Sequence, residues 1–257
     1  MDTPHCPFVW YELMTSDDEA AAAFYRQVIG WQTADAGMPG MRYTLLSAGG
    51  VAIAGLMTLP QEACEAGARP GWVGYIGVAD VDAMATRLLA AGGKVHRPAE
   101  DIPGVGRFAV VADPHGAGFD LFRGQSDAQP AQPPMGTPGT VGWHELSAGN
   151  LDSAWTFYSG LFGWTQDSDL DMGEMGVYRL FAAGGAPIGG MMDKPPQVPQ
   201  AGWLYYFNVD AIDAAMARVS EAGGQVLNGP VEVPGPMWIL QCLDPQGAAF
   251  ALVAPQR

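Results

Sequence analysis

The sequence predicts an α+β fold assembled twice, each copy from two β-α-β-β-β modules. Three observations predict it: an internal repeat, alternating strand-like and helix-like periodicity inside each copy, and one Pro- and Gly-rich stretch between the copies. "WYELMTSDDEAAAAFYRQVIGW" at 10–31 returns as "WHELSAGNLDSAWTFYSGLFGW" at 143–164. This pairs Glu12 with Glu145, Phe24-Tyr25 with Phe157-Tyr158 and Gly30-Trp31 with Gly163-Trp164 at an offset of 133. Tyr43 and Gly49-Gly50 meet Tyr178 and Gly184-Gly185 at 135. Trp72, Gly92-Gly93, Asp113-Pro114 and Gly116 meet Trp203, Gly223-Gly224, Asp244-Pro245 and Gly247 at 131. The offset changes inside "TADAGMPG" and "LPQEACEAGARPG", where insertions fall in surface loops. "GQSDAQPAQPPMGTPG" reads as a linker. The predicted division is residues 1–124, a linker at 125–140, and 141–257.

Along the first copy, "FVWYELM" reads as a strand, and Ser16 with Glu19 forms a capping-box signature opening a helix through Val28. Ala21, Phe24, Tyr25 and Val28 recur at helical spacing and give it an apolar stripe, which Gly30 ends. "WQTAD", "RYTLLSA" and "VAIAGLM" read as three strands, the last two joined at Gly49-Gly50. The scheme then repeats: strand "GWVGYIGV", helix "VDAMATRLLAA", a short strand around Val95, and "RFAVVA" and "GFDLF" joined by "DPHG". The second copy follows the same order.

Composition bounds the function. A chain of 257 residues with 48% hydrophobic and 15% charged residues has ample material for buried cores. The net charge of −15 disfavours nucleic acid or anionic membrane as a partner and suits solubility. Three dispersed cysteines give neither a disulfide framework nor a zinc spacing, so a reducing cytoplasm is expected. No basic leader with a long apolar stretch, and no apolar run of membrane length, is visible. The glycine-rich "GGVAIAG" and "GGAPIGG" do not join a strand to a helix as a dinucleotide fingerprint must, and no nucleophile elbow is present.

"FYRQVIGW" and "FYSGLFGW", "AAGGKV" and "EAGGQV", and "DPHGAGFDL" and "DPQGAAFAL" resemble the first helix, second-helix end and last hairpin of the glyoxalase/bleomycin-resistance/extradiol-dioxygenase (vicinal oxygen chelate) superfamily. The tandem layout is similar to its two-domain glyoxalase-like branch. The resemblance implies two β-α-β-β-β modules per copy in a curved mixed sheet around a cleft. In metal-using members it also implies divalent-ion ligands at four places per copy. Those places fall on Trp10 and Trp143; Ala54 or Gly55 and Gly189 or Gly190; Val73 and Leu204; and Asp120 and Ala251. One carboxylate does not make a three- or four-ligand cage, so no metal ligand and no cofactor is expected.

Strand alternation sets Glu12 beside Trp10, and Glu145 beside Trp143, on one face. A carboxylate on an apolar strand is costly unless partnered, so Glu12, Glu145 and Asp120 are the candidate catalytic groups, as proton acceptors or ligand anchors. The competing structural reading pairs each glutamate with backbone N–H groups, a tyrosine or an arginine. Alternation turns His144 to the helix side, as a packed or surface residue. Trp10, Trp143, Tyr75, Tyr206, Met57, Met192 and Trp238 are the candidate ligand-binding residues, a supply of flat and polarizable side chains suited to a planar apolar ligand. The expectation is a metal-independent small-molecule-binding protein, monomer or homodimer, that sequesters a ligand or performs Glu-assisted proton transfer. The alternatives are a divalent-metal-dependent lyase, isomerase or dioxygenase, and an interaction protein whose clefts are filled.

Overall fold

The computed structural model describes residues 5–38, 40–65, 67–126 and 133–257; part of the expected linker, 127–132, lies outside them. The first copy runs β1 (Phe8–Thr15), α1 (Asp18–Val28), β2 (Gln32–Asp35), β3 (Thr44–Ala48), β4 (Val51–Thr58), α2 (Gln61–Glu65), β5 (Gly71–Gly77), α3 (Val81–Ala90), β6 (Lys94–Ile102), β7 (Gly106–Ala112) and β8 (Gly118–Gly124). The second runs β9 (Val141–Ala148), α4 (Leu151–Phe162), β10 (Thr165–Asp171), β11 (Val177–Ala182), β12 (Pro187–Asp193), β13 (Gly202–Asn208), α5 (Ile212–Glu221), β14 (Gln225–Val233), β15 (Met237–Leu243) and β16 (Ala249–Ala254). The strand order is β2-β3-β4-β1-β5-β8-β7-β6 in one mixed sheet and β10-β11-β12-β9-β13-β16-β15-β14 in the other. This is the expected α+β fold, twice.

Three local details differ from the sequence expectation. The N-cap of α1 is Asp17, not Ser16: its backbone is extended and its side chain accepts the N–H of Ala20 at 2.9 Å. Asn150 does the same for Ser153 at the head of α4. The five-residue α2 sits in the first-copy insertion "LPQEACEAGARPG", and β6 is nine residues long where a short strand was expected.

Packing does not follow the repeat. The described residues of 1–9, 73–130 and 144–203 form one compact unit, and those of 10–72, 131–143 and 204–257 form another. Each therefore joins a module of one copy to a module of the other, and the residues that the repeat spells twice make the join. In the second unit the helices α1 and α5 pack together, and Phe24 and Tyr25 lie edge-on to Phe250 at 5.7 and 5.3 Å. The buried Tyr25 hydroxyl accepts from Trp72 Nε1 at 2.8 Å and donates to Asp244 Oδ2 at 3.1 Å. Asp244 Oδ1 meanwhile takes the N–H groups of Gln246 and Ala248, closing the "DPQG" turn. Trp31 Nε1 donates to Gly139 O at 2.8 Å, and Arg218 Nε donates to Val28 O at 3.0 Å, placing a cation on the carbonyl end of α1.

The first unit repeats each device. Trp203 Nε1 donates to the Tyr158 hydroxyl at 3.1 Å, Tyr158 to Asp113 Oδ2 at 3.4 Å, and Asp113 Oδ1 takes the N–H groups of His115 and Ala117. Trp164 Nε1 donates to Cys6 O at 2.7 Å, and Arg87 reaches Gly160 O at 3.2 Å. Its core mixes both copies: Ile76, Leu88, Val111, Phe119 and Leu121 pack with Leu146, Ala154, Phe157, Phe162 and Met191.

Candidate functional site

On β1, Tyr11 and Leu13 are buried on the helix side, so Trp10, Glu12 and Met14 stand on the opposite face. The parallel register Glu12↔Gly55 and Met14↔Met57 sets Met57 on that face as well. Tyr43, one residue before β3, reaches across β4 to Glu12. Its oxygen accepts from Trp10 Nε1 at 2.9 Å, and its O–H donates to Glu12 Oε2 at 2.8 Å. The bridge depends on a missing side chain: a β-carbon at Gly55 would fall inside the Tyr43 ring. Glu12 is 8% exposed, so this charge-assisted bond compensates a largely buried carboxylate.

The first unit carries the counterpart on β9–β12. Glu145 pairs in register with Gly190, a β-carbon at Gly190 would fall inside the Tyr178 ring, and Tyr178 donates to Glu145 Oε2 at 3.2 Å. Met192 pairs with Ser147 and shares the Glu145 face. The structure thus gives each glutamate the tyrosine partner that the structural reading required.

The second module of each copy presents a row of four residues across its strands. In the first unit the register links Arg97 to Val110, Val110 to Asp120 and Asp120 to Tyr75. Asp120 and Tyr75 are buried, and Tyr75 lies edge-on to Phe122 at 6.0 Å. Arg97 forks onto Glu100 at 2.9 and 2.8 Å and covers the Phe108 ring at 5.0 Å. Its guanidinium is held above its ordinary pKa first by Glu100, with smaller contributions from Tyr75 and Asp120. In the second unit the row is Asn228, Gln241, Ala251 and Tyr206. Gln241 Nε2 donates to the Tyr206 hydroxyl at 2.8 Å, and Asn228 Nδ2 donates to Gln241 Oε1 at 3.2 Å. Around them Trp143, Leu204, Met237 and Ile239 pack on Tyr206, Ala251 and Val253.

Trp238 alternates with Met237, Ile239 and Gln241, so it stands on the face of Leu240 and Cys242, where its ring receives Arg257 at 5.1 Å. His144 is buried toward the helix side, stacked on Phe8 at 4.3 Å with Nδ1 donating to Ile188 O at 2.7 Å; burial lowers its pKa to about 4. An open groove of about 750 Å³ lined by Ala23, Arg26, Gln27, Trp31, Gln32 and Thr33 contains none of the candidate residues.

Sequence reasoning assigned no role to Tyr43 and Tyr178 beyond marking the repeat. The available signal was a glycine inside a strand, Gly55 and Gly190, at the same offset as the tyrosines. The residues at the metal positions of the resemblance do not fit a divalent ion. Trp10, Trp143, Val73, Leu204 and Ala251 have no donor side chain, and the tyrosine rings occupy the ground above Gly55 and Gly190. Among the described residues, no group of three or more His, Cys, Asp or Glu is placed to hold a metal ion. No described helix is long and apolar enough to cross a membrane.

The family model of the Glyoxalase/Bleomycin resistance protein/Dioxygenase superfamily matches residues 8–121 and 140–252. Over 249 residues the chain is 36% identical to "Putative glyoxylase CFP32" of Mycobacterium tuberculosis, covering 96% of this chain and 94% of that protein. Over 257 residues it is 31% identical to "Anthracycline biosynthesis protein DnrV" of Streptomyces peucetius, covering 95% and 91%. Among solved structures, the Mn(II)-bound glyoxalase from Novosphingobium aromaticivorans superposes with a TM-score of 0.66 at 18% identity, over 100% of this chain and 83% of that one. The 2,3-dioxygenase LapB from Pseudomonas sp. KL28 gives 0.65 at 14% identity, over 100% and 94%. With the family matched in both copies, the chain belongs to the Glyoxalase/Bleomycin resistance protein/Dioxygenase superfamily.

Proposed function

We propose that this chain binds a planar, oxygen-substituted aromatic ligand without a metal ion, Glu12 and Glu145 serving as its polar anchors and as acceptors of a ligand proton. The observation that carries this reading is the Trp10–Tyr43–Glu12 chain laid over Gly55. A carboxylate whose partner tyrosine is itself fixed by an indole N–H has a set orientation. It can accept a hydrogen bond, or a proton, from a phenolic hydroxyl. Half-buried Trp10, Met57 and Met192 supply flat and polarizable surface beside the acids. The 31% identical relative is named for anthracycline biosynthesis.

The test is a titration with dihydroxyanthraquinone followed by tryptophan quenching, before and after exhaustive EDTA treatment. The expected affinity is the same in both and roughly tenfold weaker in Glu12→Gln, the loss from one charge-assisted hydrogen bond. Binding or turnover that EDTA abolishes and Mn(II) or Fe(II) restores refutes metal independence and favours the divalent-metal-dependent lyase, isomerase or dioxygenase. An unchanged Glu12→Gln removes the acid from the site.

A further inference from the structure

The repeat keeps Phe24-Tyr25 and Gly30-Trp31 in both copies, but between them Arg26-Gln27 become Ser159-Gly160 at the offset of 133. The structure places this difference on the groove of about 750 Å³ between α1 and β2. Arg26 and Gln27 line it from the last turn of α1, and Gln32 and Thr33 line it from β2, the edge strand of its sheet. Ala23 and Trp31 complete the lining, and none of these six residues is acidic. That is unusual in this chain, where 27 Asp and Glu stand against 12 Lys and Arg. Arg42, Arg97, Arg107, Arg179 and Arg257 each bond a carboxylate. Arg26 is exposed and forms no hydrogen bond or ion pair with any described residue. Nor does α1 need it as the cation on its carbonyl end, since Arg218 already donates to Val28 O at 3.0 Å. The matching helix α4 stands without one: it has no basic residue in its last turn, and Arg87, the counterpart of Arg218 at an offset of 131, reaches Gly160 O.

We propose that the α1–β2 groove is a separate binding site for a small organic anion, whose carboxylate or phosphate meets Arg26 while Gln27, Gln32 and Thr33 donate to its oxygens. A guanidinium with its whole fork of donors open matches an oxyanion in geometry as well as in charge. Two side-chain amides and a hydroxyl add donors without adding a charge. The volume is that of a small-molecule site. The groove is walled by α1, and Glu12 stands on the face of β1 turned away from the helix, so ligands at the two places do not compete for the same side chains. Ser159 and Gly160 bring no charge to the matching place in the second copy, so one such anion per chain is expected.

The test is an NMR titration of the isotope-labelled chain with phenyl phosphate, with benzoate and with neutral benzamide, following the Gln27 and Gln32 side-chain amides and the Trp31 indole N–H. At least one anion is expected to shift these signals along a saturating curve, the tighter of the two naming the group the site is built for, and benzamide is expected not to saturate. Arg26→Gln is expected to weaken that anion about tenfold with an unchanged urea midpoint. Arg26→Lys, which keeps the charge but not the fork, is expected to fall between. Three results overturn the proposal: no saturation with either anion, equal binding of benzamide, or an Arg26→Gln chain that binds as wild type. In the last case a lowered urea midpoint would return Arg26 to a role in α1 alone.

Discussion

Gly55→Ala isolates the Tyr43 bridge, because the three atoms nearest an added β-carbon all belong to the Tyr43 ring end. Gly55 does not have a positive φ, so the alanine backbone is unstrained and any cost comes from displacing the tyrosine. The displaced hydroxyl loses its bond from Trp10 at 2.9 Å and its bond to Glu12 at 2.8 Å. One neutral and one charge-assisted hydrogen bond together contribute about 3 kcal/mol. Alanine returns about 0.5–1 kcal/mol through lost unfolded-state freedom, leaving a net destabilisation of about 2 kcal/mol. In a Tyr43→Ala background the same substitution meets no ring and becomes stabilising by about 0.5–1 kcal/mol. Urea unfolding of the four chains of this double-mutant cycle reads the sign change directly. An equal cost for Gly55→Ala with and without the Tyr43 ring would refute the bridge.

The duplicated Trp–Tyr–Asp chains give a second comparison: Tyr25→Phe is expected to destabilise by about 2–4 kcal/mol, since it strips a partner from two buried polar groups. Tyr158→Phe should cost less, because its bonds are longer, 3.1 and 3.4 Å against 2.8 and 3.1 Å; denaturant midpoints in the reverse order contradict this. Burial lowers the His144 pKa from 6.5 to about 4, so protonation favours the unfolded chain. The His144 contribution is complete above about pH 6.5 and falls by up to about 3 kcal/mol as pH drops toward 4. Urea midpoints of wild type and His144→Phe at neutral and acid pH should therefore converge on acidification, and parallel pH slopes would be the contrary result.

Much of the fold was legible because the repeat is written in residues with fixed mechanical duties. Phe24-Tyr25, Gly30-Trp31 and Asp113-Pro114 are spelled twice because each holds a helix or turn in place. What was not legible is which module packs on which, since the apolar stripe of α1 fits any partner of similar volume. The contacts with Phe250, Asp244 and Arg218 decide it. The α1 cap was misread because Ser16 and Asp17 are both good capping residues; Asn150, at the offset of 133, distinguishes them. The site was half legible: alternation gave the shared face of Trp10 and Glu12, but Tyr43 enters through the β3–β4–β1 register, which no local pattern states. Trp238 shows the same limit, since its face follows from the β15–β16 pairing.

The shared ownership of each core also dictates when this chain can mature during synthesis. The aromatic stripe of α1 meets its lid, Phe250, only when the last strand has been translated, and Phe119 waits for Tyr158 and Phe162. A nascent first half therefore leaves the ribosome with these apolar surfaces uncovered, and association through them before the partner strands arrive is the hazard this architecture carries.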